Sequence, residues 1–147
     1  MIEIVDNRID EQSVLETVKS SSCGAAILFV GTTRRVTDGK VTQTLHYEAY
    51  HEMAKQELSK IRDEAMPKFS LEECAIVHRL GEVALGETSI AVAVSSPHRK
   101  QAFEAAAWIM DQVKKHVPIW KQEVWEDGST EWAHPGANSV MAKGDAK

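Results

Sequence analysis

The chain has 147 residues, 43% hydrophobic and 27% charged, with a formal net charge of −5, proportions that suit one soluble globular domain with a core of its own. The negative balance argues against general binding to nucleic acid or anionic membranes, although a local basic pocket remains compatible with it. No apolar run approaches the roughly 20 residues of a membrane span and the N-terminus does not read as a signal peptide; two distant cysteines, Cys23 and Cys74, with no CxxC, exclude a zinc or disulfide framework and fit a reducing cytoplasm.

Residues 1–5 read as a short strand. Asp10 offers an N-cap to a helix in which Val14, Leu15 and Val18 fall at helical spacing, and Ser20, Ser21 and Ser22 close it. Residues 24–31 (GAAILFVG) form a continuous apolar run between glycines, expected to be a strand buried on both faces. A polar stretch with Arg34, Arg35 and the turn dipeptide Asp38-Gly39 follows. From Val41 to Tyr47 the residues alternate with strand period.

In residues 51–66, Met53, Ala54, Leu58, Ile61 and Ala65 share one helical face, and Pro67 is expected to stop the helix. Residues 74–79 and 88–95 read as strands, with Gly81 and Gly86 punctuating the segment between them. Ser95 or Ser96 is the expected cap of a third helix with Pro97 in its first position. Asp127-Gly128 marks a C-terminal hairpin, and residues 135–147, small and polar, are expected to be a mobile tail. The order, close to β-α-β-β-α-β-β-α-β-β, predicts a single α+β domain over residues 1–134, with mixed or antiparallel strands and about three helices.

Residues 95–123 carry the densest chemistry. His98 and Arg99 stand at the start of the third helix, where unpaired backbone N–H groups and the helix dipole favour an anion; the competing reading is a pair of solvated side chains. Lys114 and Lys115 lie in the last turn, where cations need no purpose beyond complementing the dipole. Lys121 follows Trp120 in an apolar strand, and contact with apolar surface lowers a lysine pKa and frees the amine for nucleophilic or acid–base work. The other histidines, His46, His51, His78, His116 and His134, lack metal-ligand spacing and read as structural, and the two cysteines as small buried residues. No Walker-type loop, dinucleotide fingerprint or GxSxG elbow is present.

Four segments in this order, GAAILFVGTTRR, LHYEAYHEMA, VHRLGEVALGE and SSPHRKQAFEAAAWIMDQVKKHVPIWKQE, together resemble the large, catalytic subunit family of molybdopterin synthases. The resemblance implies an α/β hammerhead fold and a cytoplasmic sulfurtransferase of molybdenum cofactor biosynthesis, one that needs no metal or cofactor of its own. Its substrate would be cyclic pyranopterin monophosphate. Sulfur would come from a thiocarboxylate on the C-terminal Gly-Gly of a small ubiquitin-like carrier subunit, with a homodimer of the large subunit carrying one small subunit at each end as a heterotetramer. By motif, the resemblance places catalytic roles on Lys114 and Lys121, and substrate binding on Arg34, His98, Arg99, Phe29, Met110 and Glu123. Thr33 departs from the family's usual aliphatic residue, which leaves open whether Arg34 or Arg35 faces the substrate.

A helix over residues 98–114 separates its ends by roughly 24 Å at about 1.5 Å per residue. His98-Arg99 and Lys114 of one chain then cannot grip one small substrate, so the expectation is a composite site completed by a dimer mate. The rival readings are a non-catalytic dimeric module that binds a phosphorylated ligand, and a different acyl- or phosphoryl-transfer enzyme on a similar scaffold.

Overall fold

The structure, a computed structural model, describes residues 1–134; the expected tail at 135–147 lies outside the described residues. The elements are β1 (Ile2–Val5), α1 (Glu11–Val18), β2 (Ala25–Thr32), β3 (Val36–Thr37), β4 (Lys40–Ala49), α2 (His51–Lys68), β5 (Glu73–Arg79), β6 (Gly81–Ala84), β7 (Thr88–Ser96), α3 (Arg99–His116), β8 (Ile119–Trp125) and β9 (Thr130–Ala133). The expected order is therefore present, with two short strands added. β3 pairs with β4 across Asp38-Gly39, both at positive φ (51° and 78°), as a tight two-residue hairpin requires. β6 lies between Gly81 and Gly86 and pairs with the other end of β4. Strands of two and four residues are too short to show a period in sequence.

Two sheets make up the domain. The first has the order β1-β5-β7-β2, with β1 and β5 parallel and the other pairs antiparallel. The second runs β3-β4-β8-β9, with β6 also on β4. Pleat alternation divides the first sheet between two cores. Ala75, Val77, Ala91 and Ala93 pack with Val14 and Val18 of α1, whereas Ile76, Ile90, Val92 and Val94 pack with α2, α3 and the inner face of the second sheet. All nine residues of β7 are buried.

Several boundaries differ from the sequence expectation. β2 is not sealed on both faces: it lies at the edge of its sheet, pairs only with β7 among the described residues, and leaves Phe29 38% exposed. Its apolarity reflects contact with α1 on one side and α3 on the other, and edge position leaves no mark on a strand so covered. Pro67 sits within the last turn of α2 and does not stop it, because the turn still closes through Phe69 N–H to the Ala65 carbonyl at 3.0 Å. Met53 is 55% exposed, outside the buried face that Ala54, Leu58, Ile61 and Ala65 form.

The cap of α3 also moves. β7 continues through Ser96, whose hydroxyl donates to the Ser70 carbonyl at 3.2 Å, and His98 occupies the N-cap without a side-chain capping bond. Serine here ties a strand to a neighbouring turn, a use that local spacing cannot distinguish from capping. Asp10, by contrast, caps α1 by accepting from Ser13 N–H at 3.1 Å. The C-terminal hairpin turns through Asp127 and Gly128 (φ +92°), with Asp127 accepting from the Ser129 backbone and hydroxyl.

Candidate active site

A cavity of about 440 Å³ opens where α3 and the second sheet meet the end of β2, β5 and β7. Each wall follows from local periodicity. On α3, Met110 and Lys114 are one turn apart, so both reach the same cavity. On β8, Ile119, Lys121 and Glu123 alternate onto the inner face and line it together. β4 contributes Leu45 and Tyr47, which oppose Glu123 and Lys121 directly in the antiparallel register. β2 and the loop after it supply Phe29 and Arg34.

Six of the eight residues singled out in the sequence thus share one cavity: Phe29, Arg34, Met110, Lys114, Lys121 and Glu123. His98 and Arg99 do not line it; they stand exposed at the opposite end of α3. Arg34 reaches the cavity and Arg35 does not, the latter being exposed with its carbonyl accepting from Thr42 N–H at 2.7 Å. Lys115 is exposed and outside the cavity, in keeping with a dipole-complementing role.

Burial holds the Lys121 ammonium below the usual lysine range, and the cations Lys114 and Arg34 push it the same way, against the opposing pull of Glu123 and Glu131. Glu123, 9% exposed, accepts a hydrogen bond from the Thr42 hydroxyl, which holds a carboxylate in place close to the lysine. Burial raises the Tyr47 phenol above its ordinary value; a hydrogen bond with Ser89 acts against this and the Glu123 charge adds to it.

Five polar lining residues lie outside the sequence candidates: Thr32, Thr37, Tyr47, His78 and Ser89. The alternation of Leu45 and Tyr47 carried the signal for the tyrosine. His78, one of the histidines without metal-ligand spacing, is buried at 6% exposure. That it also borders the cavity follows from the β5–β7 pairing, in which it partners Ile90. Among the described residues, no group of three or more His, Cys, Asp or Glu side chains is arranged to hold a metal ion.

Fold and cavity define a class: a single-domain α+β protein with a cationic pocket between two sheets, in which a half-buried lysine faces a tyrosine and neighbours a carboxylate. The family model described as "MoaE protein" matches residues 4–116. The molybdopterin synthase catalytic subunit of Pyrococcus abyssi is 47% identical over 123 residues, covering 84% of this chain and 82% of that one. The same-named protein of Bacillus subtilis is 39% identical over 97% of this chain and 96% of its own length. A crystal structure of molybdopterin synthase from Staphylococcus aureus superposes with a TM-score of 0.85 at 39% identity, covering 89% of this chain and 95% of that chain. The chain belongs to the MoaE protein family.

Proposed function

We propose that this chain is the catalytic subunit of a molybdopterin synthase, a sulfurtransferase that converts cyclic pyranopterin monophosphate to molybdopterin. The sulfur is delivered as the C-terminal thiocarboxylate of a small ubiquitin-like carrier subunit. The observation that carries the reading is the convergence of Lys114, Lys121 and Arg34 on one cavity, with Lys121 kept below its ordinary pKa by burial. The relatives, each a catalytic subunit of molybdopterin synthase by name, support the activity and imply a second kind of subunit.

The chemistry divides among these residues. Sulfur transfer from a thiocarboxylate passes through charged tetrahedral species and moves protons. Donors fixed in a partly water-excluded cavity stabilise such charge without reorganising during the reaction. Lys114 and Arg34 supply fixed positive charge. Lys121, more easily deprotonated than an ordinary lysine, is suited to exchange a proton with the reacting groups, with Glu123 holding its position. Phe29 and Met110 provide apolar wall for the pterin. His98 and Arg99 serve the pocket of the other subunit in a homodimer, where the imidazole and the guanidinium meet the substrate phosphate. The length of α3 supports this arrangement, since its 18 residues keep the two ends apart.

The test is to incubate the purified chain with a thiocarboxylated small subunit and cyclic pyranopterin monophosphate and to assay molybdopterin. Product is expected. None, under conditions where an established synthase works, overturns the reading in favour of the phosphate-binding module or a different acyl- or phosphoryl-transfer enzyme.

A further inference from the structure

The polar groups lining the cavity fall into three chemical kinds. Arg34, Lys114 and Lys121 only donate when charged, and Glu123 already receives the Thr42 hydroxyl. The third kind is uncharged: besides Thr32 and Thr37, Tyr47, His78 and Ser89 gather where β4, β5 and β7 approach one another. The Tyr47 and His78 rings meet edge to face, with centroids 5.1 Å apart and planes at 71°. The Ser89 hydroxyl donates to the Gly31 carbonyl at 3.3 Å and lines the cavity with Tyr47. These contacts leave the imidazole little freedom to turn.

The tautomer of His78 follows from its partner. Nδ1 lies 2.9 Å from the Arg79 carbonyl oxygen, and a carbonyl can only accept, so Nδ1 carries the proton. Burial pushes the imidazolium pKa down to about 4, with the Arg79 carbonyl acting weakly against that shift, so the ring is neutral at ordinary pH. Nε2 is then a lone-pair acceptor, and its ring borders the cavity with no described protein group bonded to that nitrogen. An acceptor of this kind recognises an N–H without bringing a charge into the pocket. Pterin rings carry such donors at ring nitrogen and at the exocyclic amine, and the three cations beside them have no lone pair to offer.

We propose that His78 is a substrate-recognition residue, whose Nε2 accepts a hydrogen bond from an N–H of the bound heterocycle and so fixes which edge of the pterin enters the cavity. This rests on the function proposed above. It assigns the uncharged end of the pocket to the heterocycle, which leaves the cations free for the phosphate and the sulfur donor.

The test uses the full-length chain labelled with ¹⁵N-histidine and titrated with cyclic pyranopterin monophosphate. In the free protein the His78 signals should show Nδ1 protonated and Nε2 bare, and saturation should move Nε2 towards the frequencies of a hydrogen-bonded nitrogen. His78→Leu should weaken substrate binding roughly tenfold, the usual consequence of leaving a buried donor unpaired. His78→Gln, which restores an acceptor oxygen, should recover part of that loss. An Nε2 signal unmoved at saturation overturns the inference even if both variants fail to fold, and so does a folded His78→Leu protein that binds as tightly as wild type. Wild-type binding with an unmoved Nε2 sinks the role of His78 alone. A wild-type chain that neither binds nor converts the pterin sinks the functional reading with it.

Discussion

Tyr47 and Lys121 are direct cross-strand partners in the antiparallel register of β4 and β8, and both line the same cavity. Side chains directly opposite on one face of such a pair stand about 5 Å apart at Cβ. The phenol therefore borders the ammonium and helps to enclose it. Enclosure is the largest cause of the lowered Lys121 pKa, ahead of the charges of Glu123, Lys114 and Arg34. Strand register, more than any neighbouring charge, thus sets the environment of this lysine.

Lys121→Met should abolish most activity without harming the fold. Removing a group that stabilises developing charge lowers turnover by about two to three orders of magnitude. Burial favours the neutral amine in the folded chain, so the unfolded chain binds more protons between the lowered pKa and the ordinary value of 10.5. Stability therefore rises with pH across that window in the wild type, and Lys121→Met should flatten this rise. Molybdopterin assays and denaturant titrations between pH 7 and 10 check both halves. A variant that loses activity only by unfolding contradicts the assignment.

The proposed composite site predicts complementation between variants. Lys114 lines the cavity while His98 stands at the far end of the same helix, roughly 24 Å away at about 1.5 Å per residue. Mixed dimers of Lys121→Ala and His98→Ala chains contain one pocket with neither substitution. After unfolding and refolding together, the mixture should regain up to about a quarter of wild-type activity, the statistical limit when half the dimers are mixed and one pocket in each is intact. Activity no greater than that of either variant alone places His98 outside the dimer mate's pocket.

The sequence carried the cavity better than its surroundings. Lys114, Lys121 and Glu123 were legible because α3, the turn at Pro118 and β8 are contiguous, and a helical or strand period fixes which side chains share a face. Tyr47 belongs to the second sheet and His78 and Ser89 to paired strands of the first, and no local pattern records which strands and sheets become neighbours. The cap of α3 was misplaced for a related reason. Ser96 looks like a cap until its partner, the Ser70 carbonyl, is known to lie beside it.

Glu87 should act on the site through Arg34. Its carboxylate accepts from Ala84 N–H at 3.3 Å and from Arg79 at 3.0 Å, while its carbonyl accepts from Thr33 N–H at 3.2 Å and Gly86 N–H donates back to Thr33 at 3.1 Å. The residue before Arg34 is thereby clamped to the β6–β7 turn. Glu87→Ala keeps the backbone bonds to Thr33 but removes the side-chain bonds to Ala84 and Arg79 that brace the turn. It is therefore expected to raise KM more than it lowers kcat, because substrate must then order the Arg34 loop on binding. Added to Arg34→Ala, it should change little further, and additive losses would exclude the clamp. The Ala84 hydrogen bond and then Arg79 hold the Glu87 carboxyl below the ordinary 4.5, so this support is present at neutral pH and lost only as pH falls through that lowered value.

Gly24 fixes the approach to His98. Its N–H donates to the Pro97 carbonyl at 3.2 Å, and a Cβ placed on it would lie 2.7 Å from that same oxygen. Backbone there cannot yield as a flexible side chain would, so Gly24→Ala should cost about 1–3 kcal/mol and shift the start of α3. Thermal unfolding should show a Tm several degrees lower, and a variant as stable as wild type would show that the segment before α3 adapts freely.

His78 should impose a steep acid sensitivity. Its imidazole titrates at about 4 in the folded chain against 6.5 when unfolded, with burial as the dominant cause. Between those values the unfolded chain binds the extra proton. Stability from this group is therefore complete above about pH 6.5, declines as pH falls through the window, and levels off below about 4, a loss on the order of 3 kcal/mol. Carboxylates titrate in the same range, so the measurement is a difference: unfolding free energies of wild type and His78→Gln by urea at pH 4, 5, 6 and 7. The wild type should lose its advantage progressively on acidification while the variant lacks that component. Parallel curves across the four pH values would mean that the folded chain accepts the His78 proton as readily as water does, and the ring could not then be the neutral, fixed acceptor that pterin recognition requires.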